Sequence, residues 1–204
     1  MTGAKIMVVE DEAITAKDIE ARLRRMGYDV PAIAASGPEA IERAATARPD
    51  LVLMDIKLQG AMDGVQVAQE LQSRFRIPVT YLTAYADDAT LARAQLTAPY
   101  GYLVKPFDER ELRATIQIAL YRHRVEQQAE EASRLLDDVN EALLELTPVE
   151  ERLVRVRFGM VGSEGCEPGQ VAKQLQVSRA EVGQLSARAL RRLRGMSGLP
   201  KSKR

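Results

Sequence analysis

Short apolar runs alternate with helical patterns over the first part of this chain, and this alternation limits the possible folds more than any other feature. The predicted strands cover residues 5–9, 30–35, 51–54, 78–82 and 100–104. The helical patterns that follow them begin near residues 14, 38, 65, 87 and 108. Strict alternation implies crossover connections, and crossovers give a parallel sheet with helices on both faces. The sequence therefore predicts an α/β doubly wound domain built on a five-stranded parallel sheet.

Several chemically active side chains follow the predicted strands at the points where the strands end. Glu10 and Asp11 follow the first strand, Asp55 the third, Thr83 the fourth and Lys105 the fifth. The carboxyl ends of parallel strands meet at one edge of a sheet, where open α/β sheets bind ligands. We therefore expect three carboxylates, a hydroxyl and an ammonium to converge there.

The chemistry of this predicted cluster is that of phosphoryl transfer. Three carboxylates without a cation would raise one another's pKa values, and hard oxygen ligands with room for water suit Mg²⁺. An aspartate bound to such an ion can attack phosphorus, while the metal and a lysine stabilise the charge of the transferred group. Each residue alone also fits a turn, a helix cap or a surface salt bridge. All five at matching strand ends favour a functional site.

Five short motifs stand at or near these strand ends. They are Val9-Glu10-Asp11-Glu12, Met54-Asp55-Ile56, Met62-Asp63-Gly64, Leu82-Thr83-Ala84 and Leu103-Val104-Lys105-Pro106-Phe107. These motifs resemble those of the receiver domain of bacterial two-component response regulators, which has a flavodoxin-like fold. The resemblance covers about residues 4–122.

The resemblance implies a metal site and a phosphoacceptor. Asp55 would accept a phosphoryl group from a histidine kinase. Asp11, the Asp55 carboxylate and the backbone carbonyl of Lys57 would hold Mg²⁺, and Glu10 would act through a bridging water.

The resemblance also implies a switch. Lys105 would pair with the phosphoryl group, Thr83 would bond to it and move, and the Tyr102 ring would turn inward as Thr83 moves. The alternative for Tyr102 is an ordinary core aromatic. A receiver of this kind is not an enzyme acting on other molecules, because it catalyses only its own phosphoryl transfer and slow dephosphorylation.

Charge is distributed unevenly along a chain whose formal net charge is zero. Residues 1–124 hold 16 basic and 17 acidic side chains, residues 125–146 hold 1 and 7, and residues 147–204 hold 12 and 5. This pattern indicates a modular chain whose last module favours a polyanion. The single cysteine excludes a disulfide within the chain. Without an apolar run of about 18 residues or a signal pattern, we expect a cytoplasmic protein that does not contact membranes.

A helical pattern continues from the fifth receiver helix into the acidic segment without glycine or proline. Its apolar positions follow heptad steps at Val125, Ala129, Ala132, Leu136, Val139, Leu143 and Leu146. This seam allows a dimeric coiled coil, and the resemblance to response regulators allows a homodimer that depends on phosphorylation. Two small alanines and the lack of complementary flanking charges leave dimerisation open.

Near Leu135 the apolar stripe widens to include Leu135, Ala142 and Leu144, which predicts that this half of the helix packs into a following domain. We expect four segments. They are a receiver at 1–124, a helical linker at 125–134, a second domain at 135–197 and a basic tail at 198–204.

The second domain is predicted to be all-α with a helix-turn-helix. Thr147, Pro148 and Glu150 form a helix start, and a second helix runs from Pro168 to Leu175. A capping box at 178–181 opens a third, basic helix that ends near Arg194. Two helices joined by a short turn, with the second one basic, are typical of a DNA-binding helix-turn-helix.

Six short motifs are distributed over this domain. They are Leu146-Thr147-Pro148, Glu150-Glu151-Arg152, Val156-Arg157-Phe158-Gly159, Val171-Ala172-Lys173-Gln174, Val177-Ser178-Arg179 and 187–194. On these motifs the domain resembles region four of bacterial sigma factors, over about residues 134–197. It implies a first half that docks on RNA polymerase and a second half that reads DNA. The DNA-binding candidates are Arg179, Gln184, Arg188, Arg191 and Arg192.

Two output functions remain open at this point. The chain departs from primary sigma factors at Ala180, Glu181 and Gly183, which argues against base reading like theirs. The basic run 188–194 and the tail 201–204 favour a DNA-binding regulator of transcription, because such side chains bind phosphates. The intact first half favours an output domain that binds RNA polymerase or an anti-sigma factor.

Overall fold

The computed structural model describes residues 3–84, 88–160 and 167–195, without the side chains of 88–91 and 194–195. The chain divides into two compact units, Met1–Gln127 and Gln128–Arg204. None of the helices within these described ranges is long and apolar enough to cross a membrane.

The first unit is a five-stranded parallel sheet with the strand order β2-β1-β3-β4-β5, as the alternating pattern predicted. Its elements are β1 (Ile6–Val9), α1 (Ala13–Arg25), β2 (Ile33–Ala34), α2 (Gly37–Ala47), β3 (Leu51–Asp55), α3 (Gly64–Phe75), β4 (Val79–Thr83), α4 (Asp88–Leu96), β5 (Gly101–Val104) and α5 (Glu109–Leu144). Helix α5 continues well beyond the receiver, as the uninterrupted helical pattern predicted.

Apolar strands build a core on both faces of this sheet. Successive strand residues point to opposite faces. Met7 and Val9 of β1 therefore belong to one buried cluster, and Ile6 and Val8 belong to the other. Such continuous apolar strands are typical of parallel sheets covered on both sides.

Strand β2 is much shorter than the predicted 30–35. It pairs with β1 only at Ile33 and Ala34. Pro31 has no N–H to donate to a ladder, and β2 is an edge strand with one neighbour. Val30 is nevertheless 5% exposed and packs in the core, so its apolar character reflects burial rather than strand pairing.

The second unit contains α6 (Pro148–Arg157), α7 (Pro168–Leu175) and α8 (Arg179–Gly195). The predicted helix starts are confirmed. The Thr147 hydroxyl accepts a hydrogen bond from the Glu150 N–H, and the Ser178 hydroxyl accepts one from the Glu181 N–H. The core consists of Leu143, Leu146, Leu153, Val154, Val171, Ala172, Val182 and Ala189.

Only part of the widened stripe on α5 joins this core. Ala142 is buried, but Leu135 is 47% exposed and Leu144 is 75% exposed. Val139 packs against the core, and Leu135, which precedes it by one turn, lies beyond the end of the cluster. Leu144 lies about 100° around the helix from the buried Leu143 and points away from it. The expectation that both leucines pack into the domain is therefore wrong.

Candidate functional site

Strand register brings the predicted site residues to one edge of the sheet. Asp55 is the last residue of β3, and Leu82 on β4 is its partner in the register of the two strands. Thr83 is therefore one step further along β4. Glu10 and Lys105 directly follow the ends of β1 and β5.

The side chains of this edge form a compact ionic cluster. The Lys105 Nζ donates to Glu10 Oε2 at 2.5 Å and to Asp55 Oδ2 at 2.6 Å. The Glu10 side chain is 2% exposed, Asp55 14% and Lys105 19%. One carboxylate oxygen from each of Glu10, Asp11 and Asp55 lies within 4.8 Å of the others. Partial burial strengthens the attraction between these charges relative to the same charges in water.

Burial and charge shift the pKa values within the cluster. Burial raises the pKa of the Glu10 carboxyl, and the nearby Asp55 charge adds to this effect, although the Lys105 hydrogen bond opposes both. Burial lowers the pKa of the Lys105 ammonium, but the hydrogen bonds that it donates to Asp55 and Glu10 outweigh burial and leave this pKa raised. Lys105 is therefore a stable cation beside the Asp55 carboxylate.

The cluster fits a divalent cation. Oxygens that bind one Mg²⁺ at about 2.1 Å lie at most about 4.2 Å apart, so a set within 4.8 Å needs only a small inward shift. Three carboxylates are hard ligands of the type that Mg²⁺ prefers. The Lys57 N–H donates to Asp55 Oδ1 at 2.8 Å, which holds the loop that carries the Lys57 carbonyl against Asp55.

The start of α3 packs against the backbone of Asp55. A Cβ added at Gly64 would lie 1.9 Å from the Asp55 carbonyl oxygen, so only glycine fits there. Asp63 caps α3 by accepting the Gln66 N–H at 2.9 Å, and Arg93 pairs with Asp63 at 2.8 Å. Sequence reasoning did not assign Gly64 this role, although its position after a capping aspartate was a signal.

Thr83 and Tyr102 occupy neighbouring strands. Thr83 is 8% exposed and Tyr102 is 36% exposed, so the Tyr102 ring is partly accessible to solvent. Its ring lies 5.7 Å from the ring of Tyr81, which is fully buried and shares a hydrogen bond with Thr97 at 2.9 Å.

Comparison with known proteins agrees with this geometry. The family model of the response regulator receiver domain matches residues 6–117. The chain belongs to the response regulator receiver family. It is 37% identical over 120 residues to the transcriptional regulatory protein PdtaR of Mycobacterium tuberculosis, a match that covers 59% of this chain and 58% of PdtaR. The chain thus spans less than two thirds of this relative's length.

Another relative and two solved structures are similar over the receiver. The probable transcriptional regulator ycf27 of Porphyridium aerugineum is 37% identical over 60% of this chain and 50% of its own length. The receiver of a modulated diguanylate cyclase from Desulfovibrio desulfuricans has a TM-score of 0.59 at 35% identity, covering 61% of this chain and 98% of that one. The receiver of the Pseudomonas aeruginosa sensor histidine kinase PA1611 was solved with magnesium in its active-site cleft. It has a TM-score of 0.53 at 33% identity, and the match covers 58% of this chain and 98% of that one.

Outside the receiver, the predicted DNA-binding residues all lie on α8. Gln184, Arg188 and Arg191 are exposed, as is Arg179. The Arg179 guanidinium lies against α7, where a Cβ added at Gly169 would be 2.4 Å from its Nη2. The side chain of Arg194 and the tail 201–204 lie outside the described residues.

Arg192, the remaining candidate, pairs with a buried carboxylate. Its Nη1 donates to Glu150 Oε2 at 3.1 Å, and the Glu150 side chain is 1% exposed. The same oxygen accepts the N–H and the hydroxyl of Thr147 at 3.1 and 2.9 Å. Burial raises the pKa of Glu150, but the Thr147 hydrogen bonds and the charges of Arg192 and Arg188 lower it, and the net direction is down.

Proposed function

We propose that this protein is a two-component response regulator whose Asp55 accepts a phosphoryl group from a histidine kinase. The observation that carries the proposal is the position of the Lys105 Nζ, 2.6 Å from Asp55 Oδ2 at an edge that also gathers Glu10 and Asp11. This is the nucleophile, cation and ligand set that phosphoryl transfer needs.

In the proposed reaction, an Asp55 carboxylate oxygen forms a bond to the phosphorus of a phosphohistidine. The P–N bond breaks, its electron pair stays on the imidazole nitrogen, and that nitrogen is left to take up a proton. The Lys105 ammonium exchanges its hydrogen bond with Asp55 for one to an oxygen of the transferred group. The Thr83 hydroxyl, at the end of β4, donates to another of these oxygens.

A Mg²⁺ ion would be held by Asp11, by the Asp55 carboxylate and by the Lys57 carbonyl, with Glu10 acting through a bridging water. When bound, it supplies positive charge next to the transferred group. Attack by water on the phosphorus then slowly releases inorganic phosphate and returns Asp55 to its starting state. In this proposal the receiver catalyses only its own phosphoryl transfer and dephosphorylation.

Phosphorylation by acetyl phosphate tests this assignment on the full chain. Asp55→Asn should abolish labelling, because an amide is a poor nucleophile and a poor metal ligand. Asp11→Ala should keep the acceptor but slow labelling and raise the Mg²⁺ concentration required. Asp18→Asn is a matched control, because Asp18 is an exposed residue that pairs with Arg22 on α1. Full labelling of the Asp55→Asn protein would exclude the site.

For the output we propose regulation of transcription through a DNA-binding helix-turn-helix formed by α7 and α8. In support, α7 ends at Leu175 and α8 begins at Arg179, which leaves a three-residue turn. The exposed Arg188 and Arg191 follow one another at a three-residue step on α8. Guanidinium groups on one helix face can bind successive phosphates, and Arg179 and Gln184 near the helix start can reach base edges.

A second candidate output is docking on RNA polymerase or an anti-sigma factor. In its favour, α5, α6 and α8 line an apolar cavity of about 220 Å³ within the second unit. Phe158 and Met160 on its lining are 56% and 44% exposed. Exposed apolar patches of this kind are typical of protein interaction sites.

Parallel binding assays on the phosphorylated full chain separate the two outputs. Arg191→Ala should weaken DNA binding under the first proposal, and Phe158→Ser should weaken binding to core polymerase or an anti-sigma factor under the second. If Arg191→Ala left DNA affinity unchanged while Phe158→Ser abolished binding to a protein partner, the second proposal would replace the first.

The exposed seam on α5 also supports a proposed phosphorylation-dependent homodimer. Val125 is 44% exposed and Leu136 is 64% exposed, so both are accessible to a second copy. Sedimentation of the protein with and without acetyl phosphate tests this proposal, and equal masses in the two states would exclude it.

A further inference from the structure

The receiver has a second concave site, at the edge of the sheet opposite Asp55. A cavity of about 690 Å³ is bordered by the loops that follow α2 and α3 and by the receiver part of α5. Arg48 and Arg76 end α2 and α3 in left-handed conformations, with φ values of 44° and 56°. Both helices precede strands, so their ends lie at the amino edge of the sheet, away from the acidic cluster.

The rim of this cavity is cationic. Arg48, Arg74, Arg76 and Arg124 line it, and Asp50 is the single carboxylate among the lining residues. The Asp50 Oδ2 accepts the backbone N–H of Lys5 at 2.8 Å, so part of its hydrogen-bonding capacity is already used. The Arg74 Nη1 lies 3.7 Å from Glu70 Oε2, so the charge of this arginine is partly neutralised. The lining residues together still carry a net positive charge.

The floor of the cavity is apolar. Pro49, Ile77 and Pro78 are buried, and Phe75 and Leu120 are partly buried. The Arg74 guanidinium lies 5.2 Å from the centroid of the Phe75 ring, so a flat cation and an aromatic ring already stack at the border between rim and floor. A ligand that matches both parts must combine anionic groups with a flat, weakly polar group.

We propose that this cavity binds a nucleotide, with its phosphates on the arginine rim and its base over the apolar floor. Guanidinium groups bind phosphate through paired hydrogen bonds and also stack on flat π systems. The cavity volume lies within the range of about 300–1,000 Å³ typical of small-molecule sites. A concave site with an apolar floor suits a small ligand better than a nucleic-acid backbone, which needs an extended cationic groove. The site is separate from Asp55, so it does not depend on the proposed phosphorylation.

Calorimetric titration of the full chain with ATP in the presence of EDTA tests the proposal, since EDTA prevents divalent ions from bridging ATP to the acidic cluster. Adenosine and pyrophosphate are the comparison ligands. Adenosine carries the base without phosphates, and pyrophosphate carries phosphates without the base. We expect ATP to bind at least about tenfold more tightly than either, because both halves contribute. Failure of ATP to bind, or equal binding of pyrophosphate, would overturn the proposal.

Two arginine variants test whether ATP binds in this cavity. Arg48→Ala and Arg124→Ala should each weaken ATP binding about tenfold, through loss of a charge-assisted hydrogen bond. Arg110→Ala is the matched control, because Arg110 is an exposed arginine in the first turn of α5, outside the cavity lining. Asp55→Asn should bind ATP normally, since its defect is confined to phosphorylation. Unchanged affinity in both cavity variants would refute this location even if ATP bound.

Discussion

Gly64 and Asp55 are in direct backbone contact, with room for no side chain between them. A Cβ added at Gly64 would lie 1.9 Å from the Asp55 carbonyl oxygen, well inside any van der Waals contact. The Gly64 N–H also donates to the Ile56 carbonyl at 3.1 Å, which joins α3 to the end of β3. The position of the proposed phosphoacceptor therefore depends on a residue without chemistry of its own.

Gly64→Ala should destabilise the receiver and slow phosphorylation. The added methyl group must push α3 away from β3, and such overpacking costs roughly 1–3 kcal/mol of unfolding free energy. Urea unfolding and the rate of labelling by acetyl phosphate measure the two effects. A Gly64→Ala protein with native stability and native labelling rate would show that this contact is unimportant.

Gly183→Ala, the same substitution in open space, should stabilise the second unit. Gly183 lies inside α8, and a Cβ added there meets nothing within 4 Å. Alanine restricts the unfolded chain and favours the helix, for a gain of about 0.5–1 kcal/mol. Thermal unfolding of both variants provides the comparison, and a destabilised Gly183→Ala protein would contradict the open environment of this residue.

Lys105→Met should raise Mg²⁺ affinity while it impairs the response to phosphorylation. The Lys105 ammonium competes with a metal for the Glu10 and Asp55 oxygens. Without the ammonium the two carboxylates repel each other, and a bound Mg²⁺ ion relieves this repulsion. The phosphoryl group meanwhile loses its cation. Titration with Mg²⁺ and chemical-shift changes on phosphorylation measure the two effects. Lys17→Met is the control, because Lys17 makes an exposed pair with Glu20, and weaker Mg²⁺ binding by Lys105→Met would contradict this prediction.

The second unit should lose stability in acid because of Glu150. Burial raises the pKa of this carboxyl, but hydrogen bonds from Thr147 and the charges of Arg192 and Arg188 lower it below its ordinary value. A lowered pKa in the folded state stabilises the fold above the unfolded pKa of about 4.3, and this contribution disappears as pH falls below that value. Melting temperatures measured between neutral pH and pH 3 should show this loss.

The variant Glu150→Gln should have a lower melting temperature at neutral pH, and this temperature should fall less steeply between neutral pH and pH 3. Glu145→Gln serves as the control, because Glu145 is exposed in the same unit. Parallel acid curves for the native and Glu150→Gln proteins would argue against this role of Glu150.

Arg191 and Arg192 are neighbours on α8 with different predicted roles. Arg191→Ala should leave stability unchanged but weaken binding to all DNA sequences. It should also make the slope of log affinity against log salt concentration shallower by about one. Arg192→Ala should lower the unfolding free energy by roughly 1–3 kcal/mol, because it leaves the buried Glu150 carboxylate without its cation. Fluorescence anisotropy with duplex DNA and urea unfolding distinguish the two. Equal stability losses in both variants would refute the division.

Much of the receiver could be predicted from the sequence, because the information is local and repeated. Buried parallel strands require continuous apolar runs, and helices show a period of 3.6 residues, so the strand and helix order followed from the pattern. In a parallel sheet all strands end at the same edge, which is why Glu10, Asp55 and Lys105 could be expected to meet. The helix starts at Thr147 and Ser178 were equally predictable, since a capping box lies within four residues.

Other features depended on which distant residues came into contact, and only the tertiary structure decided them. The Arg192–Glu150 pair joins positions 42 residues apart, and the contact of Gly64 with Asp55 depends on how α3 returns to β3. The arginine-lined cavity combines residues from two loops and a helix. Local patterns specify which face of an element is apolar, but register and packing between elements set the distances. For this reason the sequence alone determined the order of the elements and the edge that holds the acidic cluster. The tertiary structure decided that Arg192 pairs with a buried carboxylate and that other arginines line a cavity.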